Sequence, residues 1–400
     1  MPPLNVPAAV QARMVELRRR LHRHPELAFL EVETAKVITE ELAALGIPYT
    51  YGGAGTAVIA DLPAAAVAGP DPALAGAPPA AIALRADMDA LPGEEATGLA
   101  FRSTQPGRMH ACGHDAHMAI LLGAARLLTE RPAAVPVRLI FQPAEERGGG
   151  ARTVIAAGGL EGVGAIFGAH VAPQYEVGQI MVTTGVISAQ SDRFVIEVHG
   201  KGGHGARPHE AIDAVVITGL LIIALQTLVS REVDPVHPSV VTIGRVEAGT
   251  AANVIADHAR LEGSIRTTVP RIRDHLHHGI RRMARAFGEL HNARLEVQIQ
   301  PGYPPVINTA AEAQLAERAA RRVVGQAGLV AQEHPSMGSE DFAYYLQEIP
   351  GCFVRLGARA PAGDFLPLHS PAFDLDEGVL SIGAAYFEQL VREASAPQPA

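Results

Sequence analysis

The chain has 400 residues, 48% of them hydrophobic, which is enough to build two domains with buried cores. Its formal net charge of −9 argues against a general role in nucleic-acid binding, which needs a concentrated basic surface. Two cysteines, Cys112 and Cys352, are too few for a disulfide framework. Because the amino-terminal residues lack the apolar core of a signal peptide, the sequence predicts a cytoplasmic protein.

The first half of the chain alternates helical and strand patterns. Amphipathic helices are predicted over residues 8–24 and 31–45, and helices and strands alternate again between 115 and 170. Two short strand patterns flank residues 63–80, whose Pro, Ala and Gly content predicts an irregular surface loop. This alternation predicts an α/β fold with a parallel or mixed sheet covered by helices.

The pattern changes between residues 187 and 301, where the predicted order is β-α-β-β-α-β, as in a ferredoxin-like domain. The apolar run 214–229 is shorter than the roughly 20 residues that span a bilayer, and it contains polar residues. It therefore predicts a buried helix of a soluble domain. After residue 301 the alternation of helical and strand patterns resumes. We therefore expect one α/β domain, residues 1–186 and 302–400, interrupted by a small domain at 187–301.

Residues 109–117 concentrate groups that bind metals. Cys112 and His114 are two positions apart, so an extended backbone would aim both side chains at one side. Thiolate and imidazole together suit Zn²⁺ and its neighbours, and Asp115 and His117 are placed to orient such ligands. An isolated Cys-x-His is more often a structural cysteine beside a helix start, but the whole cluster favours metal binding.

Glu145 and Glu146 follow a strand whose pattern predicts burial. In an extended chain adjacent carboxylates face opposite ways, so one can bind metal while the other faces a metal-bound water. Metal lowers the pKa of bound water from about 15.7 to about 7, so a carboxylate base can activate it near neutral pH. A solvated glutamate pair in a loop is the common alternative when no other segment indicates a metal.

Other segments offer further ligands. His170 ends a strand pattern, where open α/β sheets place their ligands, and His369 lies far along the chain. A lone histidine is more often structural, but together these segments predict a sulfur, nitrogen and oxygen ligand set large enough for two ions. Asp87 and Asp89 end another strand pattern and can orient ligands or offset metal charge, although aspartate before a turn is common.

The motifs of the chain occur in the order seen in the M20 metallopeptidase family. The chain resembles the cysteine-containing amidohydrolase branch, which includes hippurate hydrolases, N-acyl-amino-acid amidohydrolases and auxin-conjugate hydrolases, over residues 12–390. The implied fold is a metal-dependent peptidase-like α/β catalytic domain with an inserted ferredoxin-like lid and dimerisation domain. The matching motifs are RADMDALP, MHACGHDAHM, FQPAEE, GAHV, KGGHGARPH, GTAANVIA, GSIRT, MGSEDF and LHSPAFD.

The resemblance implies the roles of the site residues. Glu145 is the expected general base, Asp87 stands where many relatives outside the branch have a ligand histidine, and Asp89 matches an aspartate that supports the ligands. Two divalent metal ions are expected, Zn²⁺ or Mn²⁺, with Co²⁺ and Ni²⁺ as alternatives. The implied metal ligands are Cys112, His114, Glu146, His170 and His369.

The implied reaction is hydrolysis of the amide bond of small N-acyl-amino acids such as hippurate, with short peptides as the alternative substrates. By the same resemblance, His204 stabilises the oxyanion of the tetrahedral intermediate, and Asn253 and Arg266 contact the substrate carboxylate. Physical chemistry supports these roles, since a preorganised donor speeds acyl transfer and a guanidinium matches a carboxylate. Without the resemblance, a surface strand residue is the preferred interpretation of Arg266. A homodimer or dimer-based oligomer is expected, with no nucleic-acid or membrane partner.

Two features complicate this interpretation. Arg147 stands where the branch more often has glycine, which leaves the substrate preference open. Residues 200–205 match G-x-G-x-x-G, which suggests a nicotinamide-dependent oxidoreductase as a distant alternative. Against it, strand 239–246 lacks the expected acidic residue, and the order β-β-α-β follows where a dinucleotide fold repeats βαβ. A catalytically silent metal-binding protein is the other alternative, but it has no need of a water-facing glutamate.

Overall fold

The computed structural model describes residues 6–65 and 80–395, so most of the predicted loop at 63–80 lies outside the described residues. In this part of the chain the helices are α1 (Ala8–Arg23), α2 (Val32–Ala44), α3 (His114–Glu130), α4 (Gly150–Ala156), α5 (Ala214–Thr227), α6 (Pro270–His291), α7 (Ala310–Val324), α8 (Ala343–Glu348) and α9 (Gly378–Ser395). The strands of the two main sheets are β1 (Tyr49–Tyr51), β2 (Val58–Leu62), β3 (Ala81–Asp87), β4 (Val137–Gln142), β5 (Val163–Glu176), β6 (Ile180–Met181), β7 (Gln190–His199), β8 (Ser239–Ala248), β9 (His258–Thr267), β10 (Arg294–Pro301), β11 (Leu329–Val330) and β12 (Gly351–Arg359). Additional two-residue strands are Leu91–Pro92, Arg108–Met109, Gly185–Val186, Gly203–His204, Val254–Ile255 and Ile307–Asn308.

The chain divides into two compact units. The first comprises Met1–Gly185, Ile307–Glu333 and Asp341–Ala400. Its sheet has the order β1-β2-β4-β3-β5-β12-β6-β11, in which the central strands β4, β3, β5 and β12 run parallel and antiparallel strands lie towards the edges. The predicted mixed α/β architecture is confirmed.

Helix α3 is central to the core of this unit because it is apolar on nearly all sides. It packs against α1 and α9, and most of its residues are buried. The close approach of α1 needs Gly123, since a Cβ there would lie 2.1 Å from the Met14 sulfur. The helix is therefore fixed firmly, and so is its first residue, His114.

The parallel register brings the carboxyl ends of the central strands to one edge of the sheet. Asp87 at the end of β3 pairs with Gln142 at the end of β4. On the other side of β3, Arg85 pairs with Gly168, two residues before His170. Polar residues that are far apart in sequence therefore meet at this edge, as is usual for ligand sites of open α/β sheets.

The second unit comprises Val186–Val306 and His334–Glu340. Its antiparallel sheet has the order β8-β9-β7-β10, with α5 following β7 and α6 following β9. This is the β-α-β-β-α-β arrangement of a ferredoxin-like unit. Residues 334–340 also belong to this unit, although they follow the segment 187–301 in the sequence. The sequence pattern did not indicate this contribution.

Helix α5 differs from the predicted buried helix. Ile217, Leu221 and Leu225 are buried in the core of the second unit, but Val216 and Ile223 on other faces are exposed. Together with the π-helical turn that follows, it is the one segment of the described chain long and apolar enough to cross a membrane by length and composition, and about a third of its most apolar stretch is buried. A helix that is apolar on nearly all sides does not reveal from its sequence which face a small domain leaves uncovered.

Candidate metal centre

The loop that carries Cys112 turns sharply into helix α3. Gly113 adopts a left-handed conformation (φ 83°), and His114 is the first residue of the helix. A side chain at Gly113 would collide with Val171, since a Cβ would lie 2.4 Å from its Cγ2. The extended backbone predicted for Cys112 and His114 is therefore wrong, yet the turn still brings both side chains into one cluster.

The predicted ligand residues form three overlapping groups. Within each group, the potential ligand atoms all lie within 4.8 Å of one another. Cys112 belongs to two of these groups, and a third group places both glutamates beside His114. The cluster is buried except at Glu146, which is partly buried, and at His369, whose side chain is 55% exposed. The three groups are Cys112–His114–His170, Cys112–Glu146–His369 and His114–Glu145–Glu146.

Backbone carbonyls fix the orientation of two histidine rings. The Nδ1 atom of His114 lies 2.8 Å from the Asp89 carbonyl oxygen, and that of His170 lies 2.7 Å from the Val171 carbonyl oxygen. Since a carbonyl only accepts, each Nδ1 carries the proton and each Nε2 keeps a lone pair for the cluster. The Nε2 atom of His170 lies 3.3 Å from the Cys112 sulfur.

The glutamate pair is held by Asp89. Its two carboxylate oxygens accept hydrogen bonds from the backbone N–H groups of Glu145 (2.9 Å) and Glu146 (3.0 Å). Ala144 just before them has a left-handed conformation (φ 55°), and its N–H donates to buried Glu31 at 2.9 Å. The predicted opposite facing of the two carboxylates is wrong because this turn replaces the extended backbone, and both carboxylates reach the vicinity of His114.

His369 reaches the cluster from a separate loop. It also has a left-handed backbone (φ 67°), and its N–H donates to the Ala111 carbonyl oxygen at 2.8 Å. Its Nε2 lies 3.4 Å from Glu146 Oε1. The contact with Ala111 ties the loop directly to the segment that carries Cys112.

Asp87 is surrounded by donors in the buried strand ends. Its Oδ1 accepts from His117 Nδ1 at 2.5 Å, and its Oδ2 accepts from Arg85 at 2.7 Å. Burial alone would raise the pKa of Asp87, but the charge of Arg85 and the hydrogen bond from His117 hold that pKa below its usual range. Both oxygens of Asp87 are thus engaged by side-chain donors.

Sequence reasoning assigned no role to Arg85 or to its partners Gln142 and Asp341. Arg85 also donates to Gln142 at 2.9 Å and to Asp341 at 3.0 Å, and Asp341 accepts from the Ala151 N–H. Arg85 lies inside the largely apolar strand β3. Because a buried guanidinium needs carboxylate partners, its position in the sequence could have indicated this network.

The donor set fits divalent metal. His114 Nε2 and Glu146 Oε1 are buried and make no hydrogen bond within the described residues. Burial raises the pKa of the Cys112 thiol, and the carboxylates of Glu146 and Glu145 raise it further. Burial also lowers the pKa of His170. Unpaired lone pairs and a buried thiol between carboxylates call for a cation, which deprotonates a coordinating thiol.

The remaining predicted residues lie in the second unit. His204 and Asn253 line one cavity of about 750 Å³ there, and the N–H of Gly205 donates to the Asn253 carbonyl oxygen at 2.8 Å. Arg266 on β9 donates from its guanidinium to the Met337 carbonyl oxygen at 2.8 Å, so in this structure it is not a bare surface residue.

The glycine-rich segment 200–205 serves close backbone packing. A Cβ at Gly200 would lie 2.2 Å from the Ile212 carbonyl oxygen, and one at Gly205 would lie 2.9 Å from that of Asn253. Helix α5 starts only at Ala214, after its cap Asp213, so the glycines do not open a helix as a dinucleotide site requires.

Comparisons with known proteins agree with this fold and site. A model of the peptidase family M20/M25/M40 matches residues 83–393. N-acetylcysteine deacetylase of Bacillus subtilis is 42% identical over 389 residues, covering 96% of this chain and 97% of that protein. Thermostable carboxypeptidase 1 of Saccharolobus solfataricus is 38% identical over 378 residues, covering 93% and 92%. The crystal structure of a dinuclear metal binding peptidase of the M20 family from Bacillus subtilis matches with a TM-score of 0.81 and 39% identity, covering 96% of this chain and 98% of that one.

The α/β fold, the buried thiol, imidazole and carboxylate cluster and these matches define a metal-dependent hydrolase acting on amides. The chain belongs to the peptidase family M20/M25/M40.

Proposed function

We propose that the protein hydrolyses the amide bond of N-acyl-amino acids with two divalent metal ions in the cluster. The observation that supports this most is the sharing of Cys112 between two groups of potential ligands, since one group holds His114 and His170 and the other holds Glu146 and His369. The chemistry of the donors favours Zn²⁺ or Mn²⁺, with Co²⁺ and Ni²⁺ as alternatives.

Divalent ions held by Cys112, His114, Glu146, His170 and His369 would supply Lewis-acid activation of water and of the amide carbonyl group. Glu145 takes a proton from the attacking water and passes it to the nitrogen of the leaving amino acid, so the carboxylate is regenerated in each cycle. Asp89 holds the peptide of Glu145 by accepting its N–H, which orients the base before substrate binds.

Residues of the second unit complete the proposal. His204 would donate a hydrogen bond to the oxyanion as negative charge develops there, and Asn253 and Arg266 would bind the substrate carboxylate. We further propose that this unit is the lid and dimerisation module of a cytoplasmic homodimer. The exposed apolar face of α5 supports a subunit interface, because an uncovered apolar helix face favours association.

Short peptides are the alternative substrates, and the resemblance to a carboxypeptidase supports them. Both substrate classes carry a free carboxylate beside a linear amide bond. They differ in the acyl side, which is a simple acyl group in one class and an amino acid with a charged amine in the other.

A reconstitution experiment tests the proposal. The protein is stripped by a strong chelator, and hydrolysis of N-acetyl-amino acids, N-benzoyl-amino acids and dipeptides is measured before and after Zn²⁺, Mn²⁺, Co²⁺ or Ni²⁺ is restored. We expect no turnover without metal, recovery with it, and faster cleavage of acylated amino acids than of dipeptides or of analogues with an amidated carboxylate. Full activity in a demonstrably metal-free sample would contradict the mechanism, and preference for dipeptides would select the alternative.

A further inference from the structure

The buried ring of His117 links two parts of the candidate site. Its Nδ1 lies 2.5 Å from Asp87 Oδ1, and its Nε2 lies 2.9 Å from the backbone nitrogen of Val171. Only 3% of the residue is exposed. His117 stands on the first turns of α3, and Val171 lies on β5, so the ring joins the helix to the sheet.

These two contacts determine where the proton of the ring is. A backbone N–H only donates, so the Nε2 of His117 accepts from Val171 and carries no proton. The Nδ1 therefore carries the proton and donates it to Asp87, whose other oxygen is held by Arg85. Asp87, His114 and His117 form another group of potential ligand atoms. Both ring nitrogens of His117 are already hydrogen-bonded, however, so neither is available to bind metal.

The Val171 backbone connects this ring to His170. The N–H of Val171 is held by His117, and the carbonyl oxygen of Val171 accepts the Nδ1–H of His170 at 2.7 Å. The side chain of Val171 is fixed as well, because it fills the space beside Gly113 that a Cβ would need. With its backbone held in this way, the His170 ring keeps its Nε2 directed at the cluster, 3.3 Å from the Cys112 sulfur.

We propose that His117 is a positioning residue for the metal centre, which, held by Asp87, fixes the Val171 backbone and thereby the orientation of the His170 ring. This inference rests on the proposed function in one respect, namely that His170 is a metal ligand. It concerns metal affinity and does not depend on which amide is the substrate.

Two variants of His117 test the proposal through metal affinity, measured by competition with a chromogenic chelator. His117→Phe keeps the size of the ring but removes both hydrogen bonds, and loss of such a supporting contact typically weakens metal binding about 10- to 100-fold. His117→Gln retains one donor and one acceptor on a side chain of similar reach, so we expect a smaller loss. Equal affinity of His117→Phe and wild type for both metal ions would overturn the proposal.

His110→Phe is the matched control. His110 lies in the same segment and is equally buried, but its ring nitrogens have no hydrogen-bond partner within the described residues. We expect this variant to bind metal with wild-type affinity, even if its thermal unfolding midpoint falls. A loss of metal affinity equal to that of His117→Phe would overturn the specific role of His117.

Nitrogen-15 spectra of the metal-free protein keep the proposal testable if His117→Phe does not fold. The signals that disappear in His117→Gln identify the ring, and we expect a protonated Nδ1 and an unprotonated Nε2. A proton on Nε2 would overturn the inference. Neither measurement uses amide hydrolysis, so a wild-type protein that cleaves no N-acyl-amino acid would remove the proposed function alone.

Discussion

Glu145 and Glu146 are neighbours in sequence, yet the structure places them in different relations to the ligand cluster. Glu146 shares a group with Cys112 and His369, and its Oε1 lies 3.4 Å from the His369 ring. Glu145 does not enter a group with Cys112. This difference supports the proposal that Glu146 binds metal and that Glu145 is the base.

We predict that the two glutamates respond differently to removal of their charge. Glu145→Gln should keep its metal and lose turnover by about 10²- to 10⁴-fold, the usual contribution of a general base. Glu146→Gln should lose metal affinity, because the cluster loses an anionic ligand. Metal content by elemental analysis and kcat under saturating metal separate the two effects, and an equal fall of metal content in both variants would show the assignment to be wrong.

At the scale of elements, a buried ionic network joins helix α1 to helix α3. Arg18 and His22 on α1 both contact Asp115 on α3, at 3.2 and 2.9 Å, and the other nitrogen of His22 lies 3.2 Å from Glu95. Asp115 directly follows His114, so the network also secures the start of the helix that carries a proposed ligand.

This network predicts a pH dependence of stability. Burial lowers the pKa of His22, but Asp115 and Glu95 outweigh that effect and raise it from 6.5 to about 9. A raised pKa gives stability that is fully present below pH 6.5 and is lost as the pH rises through 9. A shift of this size corresponds to about 3 kcal/mol.

The measurement is the free energy of unfolding of wild type and His22→Gln between pH 6 and 10. Other titrating groups are common to both proteins and largely cancel in the difference. We expect the advantage of wild type to shrink as the pH rises from about 6.5 to about 9. A constant difference across this window would mean that His22 is not charged in the folded protein.

At the scale of the whole molecule, we propose that each active site is completed by a residue of a second subunit. The proposed base Glu145 lies in the first unit, whereas His204 is exposed in the second. The exposed apolar residues of α5 in the second unit, among them Val216 and Ile223, are the surface that we propose for a symmetric dimer.

Mixing two inactive variants tests whether the site is shared. Glu145→Ala and His204→Ala are each expected to be inactive, and they are mixed after reversible dissociation of the subunits. If His204 serves the neighbouring subunit, each mixed dimer has one complete site, and about one quarter of wild-type activity should return at equal mixing. If it serves its own subunit, every site lacks one group. A monomer in solution, or an inactive mixture after confirmed subunit exchange, would refute the shared site.

The sequence by itself determined the elements and their order. Apolar periodicity located α1 and α2 to within a residue or two, because spacing of side chains along helices and strands is a local property. The β-α-β-β-α-β insertion followed from the same patterns. Motif resemblance supplied the family and the set of candidate ligands, since those depend on residue identity.

Only the tertiary structure decided how the candidate site is held together. The backbone at Gly113 and Ala144 is left-handed where an extended chain was expected, because packing against Val171 and the Glu31 carboxylate selects those conformations. Likewise, the ring nitrogen that each histidine directs at the cluster is set by the group that its other ring nitrogen contacts. His114 meets the Asp89 carbonyl group across 25 positions of the chain, and no local pattern encodes a contact made only on folding.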